Sequence, residues 1–257
     1  MTTSNFYVQK ASIQFDGSAD YLTLANQGSG VANLNPANTD AFSISTWFYT
    51  ENSTGTYEVL MSNQQSGHPY TGYALKLKDE GTGQFLQYVN YNSAGQAKRA
   101  TGVVTGSNDT VIVHFRWNCV CVTYDGSDDI RNVKIYFNGT PMPLTFSGTT
   151  IGATDSSGAI NIGRANWSSS HFQGGICSTA FWNKELSQKE VSEIYRGRGG
   201  AVGPGDLRRH SATANCIGWW IADNPNDAYN GTIFDQKGSF DMTPTSLASD
   251  ALQDLAP

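Results

Sequence analysis

In the segment Phe42-Ser43-Ile44-Ser45-Thr46-Trp47, the apolar residues Phe42 and Ile44 alternate with Ser43 and Ser45, and Thr46 and Trp47 follow. Because successive side chains of a β-strand point to opposite faces of its sheet, this pattern predicts a strand with one apolar face. Further strands are predicted at 12–15, 21–24, 57–62, 73–78, 84–91, 111–124, 132–138, 159–163 and 172–182. Clusters of Gly, Asn, Asp and Ser separate these strands at hairpin intervals. We therefore predict an all-β protein whose strands form a two-sheet antiparallel sandwich.

One short helix is predicted near residues 187–197. Ser187 is followed three residues later by Glu190, which is the spacing of a capping box. An apolar stripe follows at Val191, Ile194 and Tyr195, and Gly197 marks the end. Among the turns, Asn138-Gly139 is the clearest hairpin signal, because both residue types tolerate the positive φ of a tight turn.

Composition and charge limit the classes of partner. The 257 residues carry a net charge of −6, so the chain as a whole would repel nucleic acid. No run of 18 apolar residues is present, so no segment is predicted to cross a membrane. The first residues, Met1–Asn5, lack a basic region followed by an apolar one. We therefore expect synthesis in a cytoplasm without a signal peptide.

The four cysteines are predicted to be buried free thiols. They lie at Cys119, Cys121, Cys177 and Cys216, and the first two are alternate residues of one predicted strand. Free cysteine packs as a small hydrophobic residue, which makes this the favoured interpretation. A disulfide or a zinc site is the alternative.

No pattern of catalytic residues is recognisable. The six glutamates are either isolated in the chain or lie on and beside the predicted helix, and no strand carries paired acids on its inward face. A zinc-binding His-Glu-x-x-His, a Gly-x-Ser-x-Gly nucleophile elbow and a phosphate-binding loop are all missing from the sequence. The sequence leaves open a triad of remote residues. We predict that the protein is not an enzyme.

Two kinds of residue are candidates for ligand contact. Asp125, Asp128 and Asp129 lie in one oxygen-rich turn and are a candidate calcium site, although such clusters are also ordinary turn chemistry. No other cofactor is predicted. Trp167 and Tyr70 lie in predicted loops and are the candidates for contact with a ligand or a neighbour.

The other tryptophans are assigned to packing. Trp47, Trp117 and Trp182 begin or end predicted strands and are expected to face the core. Trp219 and Trp220 are adjacent, so at most one can face the core of a sandwich, and the other requires a covering layer.

In serial order, these segments resemble the concanavalin A-like jelly roll, in its laminin G-like or pentraxin-like branch. The resemblance rests on Ala11–Gly17, Asp20–Leu22, Phe42–Phe48, Trp117–Gly126, Val133–Gly139, Ile160–Arg164, Phe172–Ile176 and Phe181–Ser187. It covers about residues 6–197 and implies a single jelly-roll domain over 1–257. After that core, the chain divides into a connector (198–215), a C-terminal strand pair (216–243) and a tail (244–257). We expect the tail to be ordered only against a neighbour.

The chain departs from the family at one informative place. After Gly175-Ile176 the family usually has an acidic pair, whereas this chain has Cys177-Ser178. The departure weakens the expectation of calcium. The Glu-x-Asp-x-x-Glu pattern of the family's glucanases is also missing from the sequence.

The resemblance implies three hypotheses about function. The first is a non-enzymatic virion structural protein of a tailed bacteriophage, in capsid decoration or in the tail. Such a protein would act through virion proteins and through self-association, for example as a homotrimer. The second is a carbohydrate-binding module for host surface glycans. The third is a glycoside hydrolase or lyase of the same fold.

Overall fold

The structure is a computed structural model that describes residues 11–24, 34–51, 57–79, 84–102, 112, 115–154, 158–166, 170–197, 200–222, 231–248 and 251–253. The strands among them are β1 (Ser12–Asp16), β2 (Tyr21–Leu24), β3 (Phe42–Thr50), β4 (Tyr57–Ser62), β5 (Gly72–Asp79), β6 (Gln84–Tyr91), β7 (Ala97–Gly102), β8 (Trp117–Tyr124), β9 (Lys134–Phe137), β10 (Thr140–Pro141), β11 (Leu144–Ser147), β12 (Ile160–Ile162), β13 (Gln173–Trp182), β14 (Cys216–Trp220), β15 (Thr243–Thr245) and β16 (Leu252–Gln253). The helix α1 covers Gln188–Arg196.

Within these residues the strands form two antiparallel sheets that pack as a sandwich, which confirms the predicted fold class. The first sheet has the order β10-β9-β8-β3-β13-β1-β16, and β14 joins β13 beyond the end of β1. The second sheet has the order β11-β7-β6-β5-β4-β12-β2-β15. Apolar side chains from both inner faces form the main core, with Phe42, Tyr73 and Phe181 in ring contact near its centre.

The predicted helix and hairpin turn are also confirmed. Ser187 caps α1 through a complete capping box with Glu190, and Gly197 follows its last residue. Asn138 and Gly139 have φ values of 50° and 78°, so both adopt the left-handed conformation that the turn requires. No helix among the described residues is long and apolar enough to cross a membrane.

The first sheet is covered on both faces, although the sequence pattern predicts strands with only one buried face. Every residue of β3 except Tyr49 is buried. The outer face of this sheet forms a second core with α1 and with the 3-10 turn at Leu207–Arg209. Small residues such as Ser45 and Cys121, which are paired across β3 and β8, let these covering segments approach the sheet.

The adjacent tryptophans of β14 show how the second core arises. Trp220 lies in the main core, whereas Trp219 lies in the second core. Both are buried, so the covering layer that the sequence requires is present. Trp47 and Trp182 also belong to the second core, but Trp117 is only partly buried at its border.

The prediction that the tail (244–257) needs a neighbour for order is wrong for its described part. Thr243–Thr245 forms β15 and pairs with β2, and Leu252–Gln253 forms β16 and pairs with β1. The physical reason is that the two edge strands offer unpaired backbone groups, which a short polar segment can satisfy without an apolar pattern of its own.

The predicted C-terminal strand pair (216–243) is also only partly correct. Its first strand, β14, pairs with β13, and the segment after it contributes isolated bridges, Trp220 with Asp235 and Ile233 with Met242. The buried Asp235 side chain organises this segment by accepting hydrogen bonds from the backbone N–H groups of Trp219, Lys237, Ser239 and Phe240. A carboxylate that satisfies four backbone donors holds a turn there in place of a longer ladder.

All four cysteines are free and buried, as predicted from the sequence. They lie in the second core, and burial raises the pKa of Cys216 to about 12 and those of Cys119 and Cys121 further. Since the thiolate is the reactive form, such thiols should be inert while the protein is folded.

We expect the folded protein to show almost no reaction with a disulfide reagent such as DTNB at pH 8, and four equivalents to react in denaturant. The measurement is the absorbance of the released thiolate with and without guanidinium. Fast reaction of any thiol in the folded protein would contradict the burial described here.

Candidate functional site

An aromatic cluster lies at one end of the sandwich, on the loop before β5 and on the last residue of β6. It consists of His68, Tyr70 and Tyr91, and we call it the Tyr70 surface. The His68 and Tyr70 rings are 5.7 Å apart and the Tyr70 and Tyr91 rings are 6.3 Å apart, both with edge-to-face geometry. Tyr70 is 37% exposed, as expected for the loop position predicted from the sequence. The surface therefore combines accessible rings with the polar ring nitrogens of a histidine.

The loop that carries Tyr70 is held by short-range hydrogen bonds. Gln65 N donates to Thr71 O at 2.8 Å, and the Thr71 hydroxyl donates to the Gln65 side chain at 3.0 Å. Within the loop, Tyr70 N donates to Gly67 O at 2.7 Å. The Asn63 side chain donates to that of Asn35 at 2.7 Å, which joins the loop to the segment before β3. The loop is thus a fixed support for the aromatic ring.

The turn between β6 and β7 borders the Tyr70 surface on the side of His68. The Asn92 side-chain oxygen accepts from Ala94 N and Gln96 N, and its amide donates to Ile151 O at 3.0 Å. Gly95 has no side chain, and a Cβ there would lie 2.8 Å from His68 Nε2. The imidazole of His68 therefore lies directly against this turn.

The backbone of Tyr70 has a left-handed φ of 58°. A bulky residue rarely adopts this conformation, and strain of this kind costs of order 1–3 kcal/mol. The strained backbone holds a large ring partly in solvent, where it adds little to packing. Such outliers are found mainly at functional sites.

Trp167, the other predicted contact residue, lies outside the described residues. The residue before it, Asn166, is described and donates through its side chain to Gln64 O at 2.9 Å and to Ala159 O at 2.8 Å. The chain is therefore tied to the Tyr70 loop one residue before Trp167.

The candidate calcium residues have structural roles in the turn. Asp125 accepts from Ser127 N at 3.0 Å and Asp128 accepts from Gly152 N at 2.8 Å. Asp129 pairs with Arg131, and hydrogen bonding to this guanidinium lowers the pKa of the carboxyl to about 2. In the described part of the chain, no group of three His, Cys, Asp or Glu residues could hold a metal ion. Calcium binding at this turn stays a prediction.

A group of cations lies on the outer face of the second sheet, and no sequence motif indicates it. Lys76 lies over the Tyr57 ring, with its Nζ 4.2 Å from the ring centre. Burial, followed by the charges of Arg99 and Lys78, lowers the pKa of Lys76 to about 8. Lys76 and Lys78 alternate with leucines in the sequence, a pattern typical of a strand with one exposed face. The structure instead places Lys76 in a buried position.

Cys177-Ser178, which replaces the family's acidic pair, serves packing. The Ser178 hydroxyl accepts from Trp219 Nε1 at 3.1 Å, and the strand has a bulge between Cys177 and Ala180. These residues therefore help to dock β14 and the second core, and no carboxylate is available at this point of β13.

Comparisons with known proteins agree with this architecture. The family model described as the concanavalin A-like lectin/glucanases superfamily matches residues 16–192. No curated protein sequence matches the chain.

Several solved structures share the fold. A Bacteroides ovatus ATCC 8483 protein assigned as carbohydrate-binding has a TM-score of 0.63 at 15% identity, covering 96% of this chain and 60% of its own. The IT-sialidase CBM40 of Ruminococcus gnavus, solved with alpha2,3 sialyllactose, has a TM-score of 0.54 at 14% identity, covering 74% of this chain and 98% of its own. The botulinum neurotoxin serotype G binding domain has a TM-score of 0.50 at 16% identity, covering 75% of this chain and 47% of its own. This chain spans about 60% of the length of the Bacteroides protein. At these identities the likeness is one of fold.

Proposed function

The chain belongs to the concanavalin A-like lectin/glucanase superfamily, and on this premise we propose that it binds carbohydrate through the Tyr70 surface. A pyranose ring has an apolar face of C–H groups and a rim of hydroxyls. The face would stack on Tyr70, and the hydroxyls would bond to polar groups beside it. The exposed side chains of His68 and Gln96 and the partly exposed Gln65 supply such donors and acceptors.

The observation that carries the proposal is the conformation of Tyr70. Its ring is exposed, its backbone is strained, and its loop is fixed by hydrogen bonds at both ends. Packing alone does not explain these three properties together, because a glycine would relieve the strain and leave the core unchanged. A preorganised ring reduces the entropy that a ligand must overcome.

The names of the structural neighbours support the same class of function. The Bacteroides protein is assigned as carbohydrate-binding, and the Ruminococcus module was solved with a sialylated sugar. Both cover most of this chain.

We expect Tyr70→Ala to lower binding to glycans by about tenfold or more, because a stacked aromatic anchor contributes at least about 1.4 kcal/mol. Trp167→Ala should lower it in the same way. The measurement is a glycan array, followed by calorimetry with the sugar that the wild-type protein retains.

The matched control is Phe234→Ala, which truncates another exposed aromatic residue. It should leave binding unchanged. If Tyr70→Ala binds every glycan as the wild-type protein does and keeps the same melting temperature, the Tyr70 surface is not the site.

The virion hypothesis is kept as a second proposal. Its support is the resemblance, and association with particle proteins or with further copies of the chain would be its signature. The prediction that the chain is not an enzyme likewise stays a prediction. The neighbours described above are named for binding, and a binding role requires no catalytic group.

A further inference from the structure

A second aromatic cluster lies on the outer face of the first sheet, beyond the part that α1 covers. Four residues form one cross-strand row on this face, and they are Gln14 (β1), Gly175 (β13), Tyr49 (β3) and Trp117 (β8). Phe115 extends the row, with its ring 6.3 Å from that of Tyr49. We call Phe115, Tyr49 and Trp117 the Phe115 surface.

The missing side chain of Gly175 shapes this surface. A Cβ at Gly175 would lie 3.0 Å from Cη2 of Trp117, so the indole lies close to the strand backbone at this point. The Tyr49 and Trp117 rings are 5.8 Å apart and tilted by 50°. The rings of Phe115 and Tyr49 stand nearly perpendicular, at 77°. The three rings therefore lie at angles to one another, beside the bare backbone of Gly175.

Phe115 combines exposure with backbone strain. Its side chain is 62% exposed and its φ is 58°. The backbone is fixed in this position because Phe115 N donates to Thr50 O at 3.0 Å, at the end of β3. Among the described non-glycine residues with positive φ, Phe115 and Tyr70 are the two aromatic residues, and both are exposed. An exposed phenylalanine held in a costly conformation is hard to explain by stability.

Polar groups border the rings. The Gln14 side-chain amide donates to Oε1 of Glu51 at 2.8 Å, next to Gly175 and to the end of β3. Among the described residues, the other carboxylate oxygen of Glu51 receives no hydrogen bond. The pair therefore offers a fixed hydrogen-bond acceptor near the Phe115 surface, and such an acceptor suits the hydroxyl groups of a sugar.

The size of the Phe115 surface favours a small ligand over a protein. A large aromatic side chain has about 150–250 Å² of surface, and Tyr49 and Trp117 are only partly exposed, so the three rings offer about 300 Å² in total. A stable protein interface takes about 800 Å² from each partner. A second copy of the chain would therefore find too little apolar area here.

We propose that the Phe115 surface is a second carbohydrate-contact site, in which a pyranose ring stacks on Phe115 and bonds to the Gln14–Glu51 pair. It is separate from the Tyr70 surface. Tyr73, close to Tyr70 in the chain, contacts Phe42 at the start of β3, whereas Phe115 bonds to Thr50 at its end. Eight residue steps of about 3.3 Å place the two ends about 26 Å apart. Each surface would therefore bind its own sugar residue.

The test is backbone NMR of the full chain, titrated with methyl glycosides of glucose, mannose, galactose and N-acetylglucosamine and with short oligomers of glucose and mannose. We expect at least one of these sugars to shift the amide signals of residues 49–51, 115–117 and 174–175. Phe115→Ala should weaken those shifts by about tenfold, whereas Phe115→Tyr, which keeps a ring, should retain them. Phe146→Ala, an exposed phenylalanine on β11, is the matched control and should behave as the wild-type protein.

The same titration of Tyr70→Ala separates this proposal from the proposed function. Loss of shifts near residue 70 with retained shifts near residue 115 supports the second site, whether or not the first site survives its own test. Absence of shifts near residue 115 for the whole panel would overturn it. So would concentration-dependent dimerisation, seen by sedimentation and abolished by Phe115→Ala, because the occupant would then be another copy of the chain.

Discussion

The variant Gly174→Ala should fail to reach the native fold. Gly174 lies in β13 with a φ of 132°, and a Cβ there would lie 1.9 Å from the carbonyl oxygen of Tyr49. The clash is with backbone, and a rotamer change cannot relieve it. β13 is paired with β3 on one side and with β1 on the other, so neither chain can move away without loss of the ladder. We expect a loss of at least about 4 kcal/mol in the free energy of unfolding.

Urea unfolding followed by tryptophan fluorescence measures this loss, or soluble expression does if the variant does not fold. The control is Gly238→Ala, where φ is 90° and no atom lies within 4 Å of the added Cβ. It carries the conformational penalty alone, about 1–2 kcal/mol. Equal losses in the two variants would show that the close approach of β13 and β3 is not the cause.

Truncation of Trp182 should be the second most damaging change. Its side chain is fully buried in the second core, with the ring 4.8 Å from that of His210. His210 in turn bonds to Glu190 O of α1 at 2.9 Å and accepts from Ala212 N at 3.0 Å. We expect Trp182→Ala to lower the free energy of unfolding by about 3–5 kcal/mol, because it leaves a large cavity under the helix.

Thermal and urea unfolding measure this second loss, and amide hydrogen exchange locates it. Protection should fall most in α1 and in the Leu207–Arg209 turn, since both share the second core with Trp182. Phe234→Ala serves as the control, because its side chain is exposed and its loss should change stability by less than about 0.5 kcal/mol. Unchanged protection of α1 in Trp182→Ala would contradict the role given to the second core.

The sequence was sufficient to predict the strands of the sheet interior, because their apolar residues recur at every second position. β4 and β6 were predicted with the bounds that the structure shows, and α1 was predicted from its capping box. The strands at and next to the sheet edges, such as β11 and β7, are not predicted by such a pattern. β7 has the sequence Ala97–Gly102 with no apolar alternation, and it is a strand because β6 and β11 pair with it. Pairing of this kind depends on tertiary context and leaves little trace in the local sequence.

The two aromatic surfaces differ in how well the local sequence predicts their positions. Tyr70 follows a Gly and a Pro between two predicted strands, so its loop position was recognisable. Phe115 was included in a predicted strand over 111–124, but β8 begins only at Trp117. The polar neighbours His114 and Arg116 are the one local sign that the strand begins later. Trp219 and Trp220 are the one sequence feature that indicates the second core on the outer face of the first sheet. Two adjacent large rings of a strand cannot share one apolar face, so one of them needs another layer to cover it.

The burial of the four thiols in the second core has a practical consequence for spectroscopy. A cysteine introduced at Ser66 or at Arg116, exposed positions beside Tyr70 and Phe115, would be the one accessible thiol in the folded protein. A maleimide dye would attach there without removal of the native cysteines. Fluorophores placed in this way leave both aromatic rings in place and would report sugar contact at the two surfaces independently.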